Sequence, residues 1–429
     1  MRLSSSWTTC AAFRVTLLRC LSLVCTLLPA LPGFASTWTL DQALRAAQAT
    51  HPLIHSRRAG QDAARAAREG AEWQRYPTPS IEASQHSSGA TGVLLRLDQP
   101  VWTGGRISSE IEAASWREQA SQAATGEARE EVALKVLTAV VEAARQQLRA
   151  RHAANSVAEH ERLLDMIQRR VRQEVSPFAD LRLAESRLFA SRNELSSIEQ
   201  QQRAALTQLA QLVGKPVTAV DGDSVETATT GLPQSLEQAL QEALSHASTL
   251  RRLEAETEAA SAEIKAKRAV LLPQLYVRLE SQQGSLSDNR ALLILQAQPG
   301  AGLSALSGVK AAVARREALR AQRQAAERDL AERVSLAWHE ALAARDRVAN
   351  ADQVRATAAE VAESYARQYA VGRKTWLDVL NAVREATLTE LALVDARAQA
   401  WGAALRLKLW TGRLALKEEG GRDTPAGAD

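Results

Sequence analysis

The chain has few cysteines, and all of them lie near its beginning. Among 429 residues there are three, at Cys10, Cys20 and Cys25. Once the first 35 residues are removed, the remaining chain can form neither disulfides nor thiolate metal sites. Cys25 follows Val24 rather than a small residue, which argues against lipid attachment at that cysteine.

Aromatic residues, glycine and proline are also scarce. Aromatics make up 4% of the chain, and there are 21 glycines and 12 prolines. Ala, Leu, Glu, Gln and Arg dominate instead, which is typical of long helices and coiled coils. This composition argues against a thick globular core and predicts apolar seams between extended helices.

Motifs for enzymatic chemistry are missing as well. The sequence has no Gly-rich phosphate loop, no nucleophile elbow and no clustered metal-ligand spacing. His51, His55 and His86 are scattered in the way that surface histidines usually are. We therefore expect that the protein is not an enzyme and that it has no cofactor and no metal site.

The first 35 residues have the pattern of a secretory signal. Arg2 and Arg14 supply positive charge, Leu21–Leu31 form an apolar core, and Gly33–Ser36 offer small residues for cleavage. A membrane anchor that stays attached is the alternative, but the apolar run is short for a membrane-spanning helix.

Removing this segment also removes most of the net charge. The chain carries 53 Lys and Arg against 49 Asp and Glu, and residues 1–35 hold three of the arginines and no acid, so the formal charge falls from +4 to +1. No basic cluster with interleaved aromatic residues appears. We therefore expect no nucleic-acid partner.

An internal repeat organises the rest of the chain. The segment "TLDQALRAAQATHP" at Thr39–Pro52 returns as "SLEQALQEALSHAS" at Ser235–Ser248, 196 residues later. Three further anchors follow in order, with offsets between 196 and 199: Pro77 with Pro273, Gln99 and Pro100 with Gln298 and Pro299, and Glu174–Leu181 with Gly372–Val379. The sequence therefore consists of two copies of one unit.

Each unit has the same predicted order of helix, two strands, long helix and short helix. In the first unit the predicted elements are a helix over 40–76, strands over 80–87 and 93–102, and helices over 105–172 and 178–213. The second-unit strands are predicted near 275–281 and 292–298. The resulting division is a signal over 1–35, units over 36–213 and 235–415, a linker over 214–234 and a flexible tail over 416–429.

The helix lengths indicate how a unit is arranged. Apolar or small residues recur every seven positions in the long helix, at Val136, Ala143, Ala150, Val157, Leu164 and Val171. Such heptads and small residues favour close coiled-coil packing, and taken alone they support only a helical scaffold. The long helix should span roughly 100 Å, and the two shorter helices stacked end to end should match it. We predict a rod two helices wide, with the β-strands at one end and the turn between the long and short helices at the other.

The strands alternate in polarity. Val93, Leu95 and Leu97 share one face, whereas Leu94, Arg96 and Asp98 share the other. Strands of about 9–11 residues with this pattern suit a membrane barrel, but four strands are too few to close one, so several chains would have to contribute. A small soluble cap on a coiled coil is the alternative that this pattern leaves open.

Two longer motifs give the repeat a family resemblance. The segments "LDQPVWTGGRISSEIEAA" at Leu97–Ala114 and "YAVGRKTWLDVLNAVREA" at Tyr369–Ala386, within the duplicated order of elements, resemble the TolC-like outer-membrane efflux family. The fold class implied is mainly α with a small β part. Three chains would pool two β-hairpins each into a twelve-stranded outer-membrane barrel, above a long antiparallel coiled-coil helical barrel in the periplasm.

The resemblance also implies a function and partners. The chain would be the outer-membrane exit duct of a tripartite efflux or type I secretion system, passing small molecules or unfolded protein. Its partners would be two further copies, a periplasmic adaptor (membrane fusion) protein, an inner-membrane pump or ABC transporter, and outer-membrane lipid. A periplasmic coiled-coil structural or adaptor protein is the alternative, although no lipoyl-like β-rich module lies between the helices.

Functional residues are likewise implied by the resemblance. The barrel-to-tunnel turns would contain Pro100, Gly104, Gly105, Pro299 and Gly300, and the adaptor-contacting turns Glu174, Val175, Ser176, Pro177, Val371, Gly372, Arg373 and Thr375. The periplasmic gate would contain Asp180, Tyr369 and Lys374 as a clasp, with Asp378 as an inward-facing carboxylate ring and Asn381 three residues on. Ordinary interhelical loops with solvated polar residues are the alternative.

The two far turns differ in one respect that predicts different geometry. Gly372 can adopt the left-handed backbone conformation that often ends a helix. Glu174 stands at the corresponding position of the first unit. The sequence therefore predicts that the first-unit turn is built differently from the second.

Overall fold

The computed structural model describes residues 37–85, 91–283, 288–298 and 304–414. The predicted signal, the two turn residues Pro299 and Gly300, and the predicted tail lie outside the described residues. The first unit contains β1 (Thr37–Trp38), α1 (Leu40–Thr50), α2 (Pro52–Trp73), β2 (Thr78–Gln85), β3 (Thr91–Trp102), α3 (Arg106–Arg172) and α4 (Phe178–Val213).

The remaining elements repeat that order after a short connection. They are β4 (Ala219–Val220), α5 (Gly222–Ala228), α6 (Leu236–His246), α7 (Ser248–Ala269), β5 (Gln274–Gln283), β6 (Asp288–Gln296), α8 (Ser304–Ala370) and α9 (Trp376–Trp410). The chain is thus mostly helical with a small sheet, as the sequence predicts. The strands begin and end within a few residues of their predicted bounds.

The first helix of each unit is interrupted, which corrects the prediction of one helix over 40–76. His51 is extended between α1 and α2 (φ −69°, ψ 127°), and its Nδ1 accepts a hydrogen bond from the Leu53 amide at 3.2 Å. Pro52 follows as the first residue of α2, where its missing N–H costs nothing. In the second unit Ala247 makes the same break between α6 and α7 without a proline.

The long helices have the predicted length. The helices α3 and α8 contain 67 residues each, roughly 100 Å, and α4 and α9 contain 36 and 35. Within the first unit α3 packs against α1, α2 and α4, and within the second α8 packs against α6, α7 and α9. The two shorter segments therefore lie beside one long helix, as expected from their lengths.

The units join side by side along α3, which also packs against α7 and α9. The order across the helical layer is therefore α2 with α4, then α3, then α7 with α9, and finally α8. This order leaves α8 at an open edge: four of its residues are buried, compared with 21 in α3. The second open edge of the layer is formed by α2 and α4.

Four strands form one antiparallel sheet in the order β2–β3–β5–β6, so the hairpins of both units are joined. On one face Arg96 lies opposite Glu280 with 3.1 Å between Nε and Oε1, and Asp98 lies opposite Arg278 with 2.6 Å between Oδ1 and Nε. The other face carries leucines such as Leu97. In the described sheet, β2 and β6 are the edge strands.

The segment predicted as a linker, 214–234, contains a short strand and a short helix. Its strand β4 pairs in parallel with β1, and α5 follows at once. Val220 and Val225 are buried in the large apolar cluster formed around α1, α3 and α4. The Gln147 side chain also bonds both backbone groups of Val220, at 3.2 Å each.

Candidate functional site

The two interhelical turns at the far end of the long helices share one backbone geometry. In the first, the Val175 amide donates to the Arg170 carbonyl at 2.9 Å, and in the second Arg373 donates to Gln368 at 2.9 Å. The left-handed residue is Glu174 (φ 57°) in the first turn and Gly372 (φ 75°) in the second. The prediction that the first turn is built differently was therefore wrong.

Glu174 adopts a conformation that a side chain disfavours. The turn fixes it, because the two helices that it joins are packed along their whole length and the 170–175 hydrogen bond needs a left-handed residue between its ends. The sequence prediction failed because it assigned that conformation only to glycine. Tertiary packing of α3 against α4 overrides the local preference.

The start of α9 is held by a capping box. The Asp378 amide donates to the Thr375 hydroxyl at 3.2 Å, and Asp378 Oδ2 accepts from the Thr375 amide at 3.0 Å and from its hydroxyl at 2.8 Å. The hydroxyl bond, then the amide bond and the charge of Lys374 lower the pKa of Asp378. The Asp378 carboxylate is therefore engaged in its own turn, and it holds that turn together.

The corresponding carboxylate of the first unit has no such role. Pro177 replaces the capping threonine and offers no side-chain acceptor, so α4 begins without a side-chain cap. Among the described residues Asp180 accepts no hydrogen bond through its carboxylate, and partial burial raises its pKa. Of the two equivalent aspartates, one is committed to a cap and the other is available.

The predicted clasp of Asp180, Tyr369 and Lys374 is not formed within the chain. The Tyr369 hydroxyl lies 3.2 Å from the Ser176 hydroxyl, and the Lys374 ammonium lies 4.0 Å from the centre of the Tyr365 ring. Both groups thus have other partners. Asn381 is exposed one turn above Asp378 and outside these contacts.

The contacts that join the two turns use Trp376 and Arg170, which the sequence analysis did not identify, together with Ser176, Tyr369 and Asp180, which it did. The Trp376 indole N–H donates to the Asp180 carbonyl at 3.1 Å, and the Trp376 ring packs on Tyr369 with 5.2 Å between ring centres. Arg170 Nε donates to Ser176 at 3.3 Å, and the guanidinium lies 4.9 Å from the centre of the Tyr369 ring. We call Arg170, Ser176, Tyr369, Trp376 and the Asp180 carbonyl the tip brace.

Trp376 is the central residue of the tip brace, and the repeat contained a signal for it. It is 3% exposed, whereas its first-unit equivalent, Phe178, is 57% exposed. Both are aromatic and both begin a short helix directly after the turn. Only tryptophan adds an N–H donor to the ring, and a buried indole N–H requires an acceptor such as the Asp180 carbonyl.

The turns expose several large apolar side chains. Val175 and Val371 are 60% and 70% exposed, and Phe178 and Leu377, near the starts of α4 and α9, are 57% and 49% exposed. The predicted adaptor-contacting residues all lie on this surface, with Ser176 half-buried and the others exposed. Several large exposed apolar side chains at the end of a rod are typical of a protein-binding surface.

The opposite end of α3 has a turn that depends on two glycines. Gly104 (φ 60°) and Gly105 (φ 86°) follow β3 after Thr103, and a Cβ on Gly104 would lie 3.0 Å from the Leu272 side chain. The pairing of β3 with β5 also shifts by one residue between Pro100 and Trp102. The chain turns here from sheet to helix, and only glycine fits the first turn position without displacing Leu272.

The described part of the chain offers no group of three or more His, Cys, Asp or Glu side chains placed to hold a metal. None of its helices has a stretch long and apolar enough to cross a membrane.

Comparison with known protein families gives one match. A model of the outer membrane efflux protein family matches residues 43–215 and 239–413, which correspond to the two units and cover most of the chain. None of the curated proteins matches the sequence.

Several solved structures share the fold. A membrane protein from Pseudomonas aeruginosa has 18% identity and a TM-score of 0.74, with 87% of this chain and 92% of that chain covered. The outer membrane protein VceC of Vibrio cholerae has 17% identity and a TM-score of 0.73, covering 87% and 96%. The open-state MtrE outer membrane channel of Neisseria gonorrhoeae has 16% identity and a TM-score of 0.72, covering 87% and 89%.

Proposed function

The chain belongs to the outer membrane efflux protein family, and from this premise we propose that three copies assemble into one duct that carries cargo out of the periplasm. Membership of the family makes the protein an outer-membrane efflux channel and not an enzyme. Its sheet lies in the outer membrane and its helices extend into the periplasm. The number of copies, the gate and the partners are what we propose.

The proposed trimer rests on one observation: the sheet and the helical layer of the chain have open edges on the same two sides. The sheet ends at β2 and β6, and the helical layer ends at α2 with α4 and at α8. The helix α2 leads into β2 and β6 leads towards α8, so each side has one strand edge and one helix edge. Joining β6 of one chain to β2 of the next would close both layers at once.

Three copies fit this closure best. One chain supplies four strands, which are too few for a barrel, because small membrane barrels need about eight. Three chains supply twelve, which leaves an interior wide enough for cargo. The charged face of the sheet, with Arg96, Asp98, Arg278 and Glu280, then lines the interior, and the leucine face meets lipid.

We assign the gate to the far turns. The tip brace ties the α8–α9 turn to the α3–α4 turn of the same chain, so opening the tunnel requires these contacts to move or break. Asp180 and Lys374, which form no ion pair within the described chain, are assigned to contacts between neighbouring chains, where a carboxylate and an ammonium can pair. Asp378 stabilises the turn on which Lys374 is carried.

The partners follow from the surface of the turns. The exposed Val175, Phe178, Val371 and Leu377 offer a periplasmic adaptor an apolar docking surface. An inner-membrane pump or ABC transporter would supply energy and load the duct. Since the tunnel is wide and contacts few atoms of its cargo, both small molecules and unfolded protein are compatible with it.

Membrane fractionation and mass measurement test this proposal. We expect the protein in the outer-membrane fraction, and a native mass in mild detergent of three chains. Purified protein in planar bilayers should form channels. A soluble periplasmic monomer, or a monomer in detergent that still conducts, would contradict the proposed assembly.

A further inference from the structure

The seam between the two units of one chain is a set of contacts from α3 to α7 and α9. Near the lower end of this seam, towards the far turns, the Ser156 hydroxyl lies 3.2 Å from the Thr387 hydroxyl. Near the upper end, towards the sheet, Lys265 Nζ donates to Glu112 at 3.0 Å. Each contact joins a long helix of one unit to a shorter helix of the other.

The internal repeat indicates that this seam occurs twice in a closed ring. In a trimer of two-unit chains, first and second units alternate around the ring. The long helix of each second unit, α8, then meets α2 and α4 of the next chain as α3 meets α7 and α9. The open edge formed by α8 is the one that lacks this neighbour within a single chain.

The equivalent contacts can be found from the repeat offsets. The long helices align with an offset of 198, since "EAA" at 112–114 corresponds to "KAA" at 310–312. The α4 and α9 helices have the same offset, and the α2 and α7 helices have an offset of 196. No alignment other than these repeat anchors is needed.

At the lower contact the offsets give an apolar pair. Ser156 corresponds to Val354, and Thr387 corresponds to Phe189. In the single chain Val354 is 55% exposed and Phe189 is 60% exposed, although each is a large apolar side chain on a periplasmic helix. A hydroxyl pair inside the chain is thus replaced by an apolar pair whose two members are both unpartnered.

At the upper contact the offsets give an ion pair with its charges exchanged. Glu112 corresponds to Lys310, and Lys265 corresponds to Glu69. Both Lys310 and Glu69 are exposed, and within the described residues neither forms an ion pair or a side-chain hydrogen bond. Opposite charges are preserved although both identities have changed, which is the pattern that direct contact would require.

The other polar contacts of the inner seam do not return as ion pairs, and they produce no facing like charges. Arg149, bonded to Asp395 at 2.7 Å, corresponds to Arg347 opposite Ser197. The inner pair His152 and Glu390 corresponds to Asn350 opposite Arg192, which already bonds Glu161. The outer seam is therefore less charged than the inner one in its lower half.

We propose that the seam between neighbouring chains repeats the seam within each chain, with Phe189 of one copy packed against Val354 of the next and Glu69 of one copy paired with Lys310 of the next. The partner of the α8 edge is thus a second copy of this chain in one fixed register. The inference rests on the proposed trimer, and it adds the register and the contacts that set it.

Disulfide trapping tests the register, because no cysteine occurs after residue 25. In the double variant Phe189→Cys with Val354→Cys, we expect oxidation to give covalently linked trimers on non-reducing gels. Each single variant should stay unlinked. Phe189→Cys with Val361→Cys is the matched control, since Val361 lies on the same face one heptad further on, about 10 Å away and beyond disulfide reach.

Two further measurements distinguish a wrong register between neighbouring chains from a wrong number of chains in the assembly. Native mass in mild detergent reports the number of chains whatever the crosslinks do. A trimer that links through Val361 and not Val354 would overturn the register and leave the trimer intact, whereas a monomer would overturn the proposed assembly. The intrachain pair Ser156→Cys with Thr387→Cys should link without changing the number of chains.

Charge reversal gives a test that does not depend on cysteines. Lys310→Glu and Glu69→Lys should each weaken the trimer about two- to fivefold, as expected for an exposed ion pair. The double reversal should restore the parent's trimer stability in a detergent dilution series. If the double variant is weaker than both single variants, Glu69 and Lys310 do not face each other and the register is wrong.

Discussion

Single residues decide how each far turn is made, and the two turns reach one geometry with different residues. Gly372 takes the left-handed conformation freely, whereas Glu174 takes it under constraint from the packed helices. Trp376 and Phe178 begin the short helices, and only Trp376 is buried and bonded across to the other turn. Small differences between equivalent positions therefore give the second turn the buried tryptophan that braces the two turns.

The left-handed position gives a stability prediction. A Cβ on Gly372 would meet nothing within 4 Å, so Gly372→Ala carries only the cost of the backbone conformation, about 1 kcal/mol of unfolding free energy. Gly70→Ala is the control, because Gly70 lies in α2 with equally free space and should stabilise by about 0.5–1 kcal/mol. Thermal unfolding in detergent measures both, and equal shifts in the two variants would contradict the argument.

The tip brace gives a gating prediction. Trp376→Phe keeps the ring on Tyr369 and removes the N–H that bonds the Asp180 carbonyl, a loss of about 1–1.5 kcal/mol. Opening of single channels in planar bilayers should therefore rise roughly tenfold. Phe178→Leu, at the equivalent exposed position, should leave opening unchanged. If both variants conduct like the parent, the brace does not hold the tunnel closed.

At the scale of elements, the two short helices differ in how they begin. The helix α9 has a capping box between Thr375 and Asp378, whereas α4 begins at Pro177 with no side-chain cap. The helix α9 also follows directly on one of the two turns that the tip brace joins. A capped start keeps that turn rigid where it meets its neighbours.

The capping box gives a prediction with a defined pH dependence. Thr375→Ala should cost about 1 kcal/mol of unfolding free energy, because the hydroxyl caps the helix. The pKa of Asp378 is lowered in the folded state, so its contribution is complete above the ordinary aspartate pKa, near 3.9, and is lost as the pH falls below that value.

The melting temperature of Asp378→Asn should therefore lie below that of the parent at neutral pH, and the gap should narrow as the pH falls from about 4. The variants Thr375→Ala and Asp378→Asn should not be additive, because both alter the bond between the Thr375 hydroxyl and the Asp378 carboxylate. Additive losses, or a gap that widens in acid, would show that Asp378 acts elsewhere.

At the scale of the whole molecule, the sequence predicted what depends on repetition and on long periodic stretches. The long helix was predicted over 105–172 and is observed as α3, Arg106–Arg172. The short helix was predicted over 178–213, which coincides with α4. Alternation gave the hairpins. These features are set by local pattern, and the duplicated order of elements gave the family resemblance that the match over residues 43–215 and 239–413 confirms.

The features that the sequence analysis did not predict depend on contacts between distant residues. The linker is structured because β4 meets β1 and Val220 enters the core, which no local pattern shows. The left-handed Glu174 results from packing of whole helices. Within the chain the Tyr369 hydroxyl meets the Ser176 hydroxyl, and the gate role of Asp180 and Lys374 stays a prediction. Sequence order alone does not determine which of several polar side chains at a turn will meet.

Closure of both layers by the same three copies gives a last prediction, which separates the barrel from the tunnel. Deleting β5 and β6 with their connection leaves two strands per chain, and three copies then supply only six strands, too few for a membrane barrel. The helical seams would be unchanged. We expect this variant to be lost from the outer membrane, and to form no channels in planar bilayers.

The matched control removes only residues 284–287 between β5 and β6 and rejoins the strands with a two-residue Asn-Gly turn, which keeps twelve strands in the trimer. If the deletion variant inserts and conducts like the control, the strands of one chain do not pair with those of the next and the barrel is closed in another way.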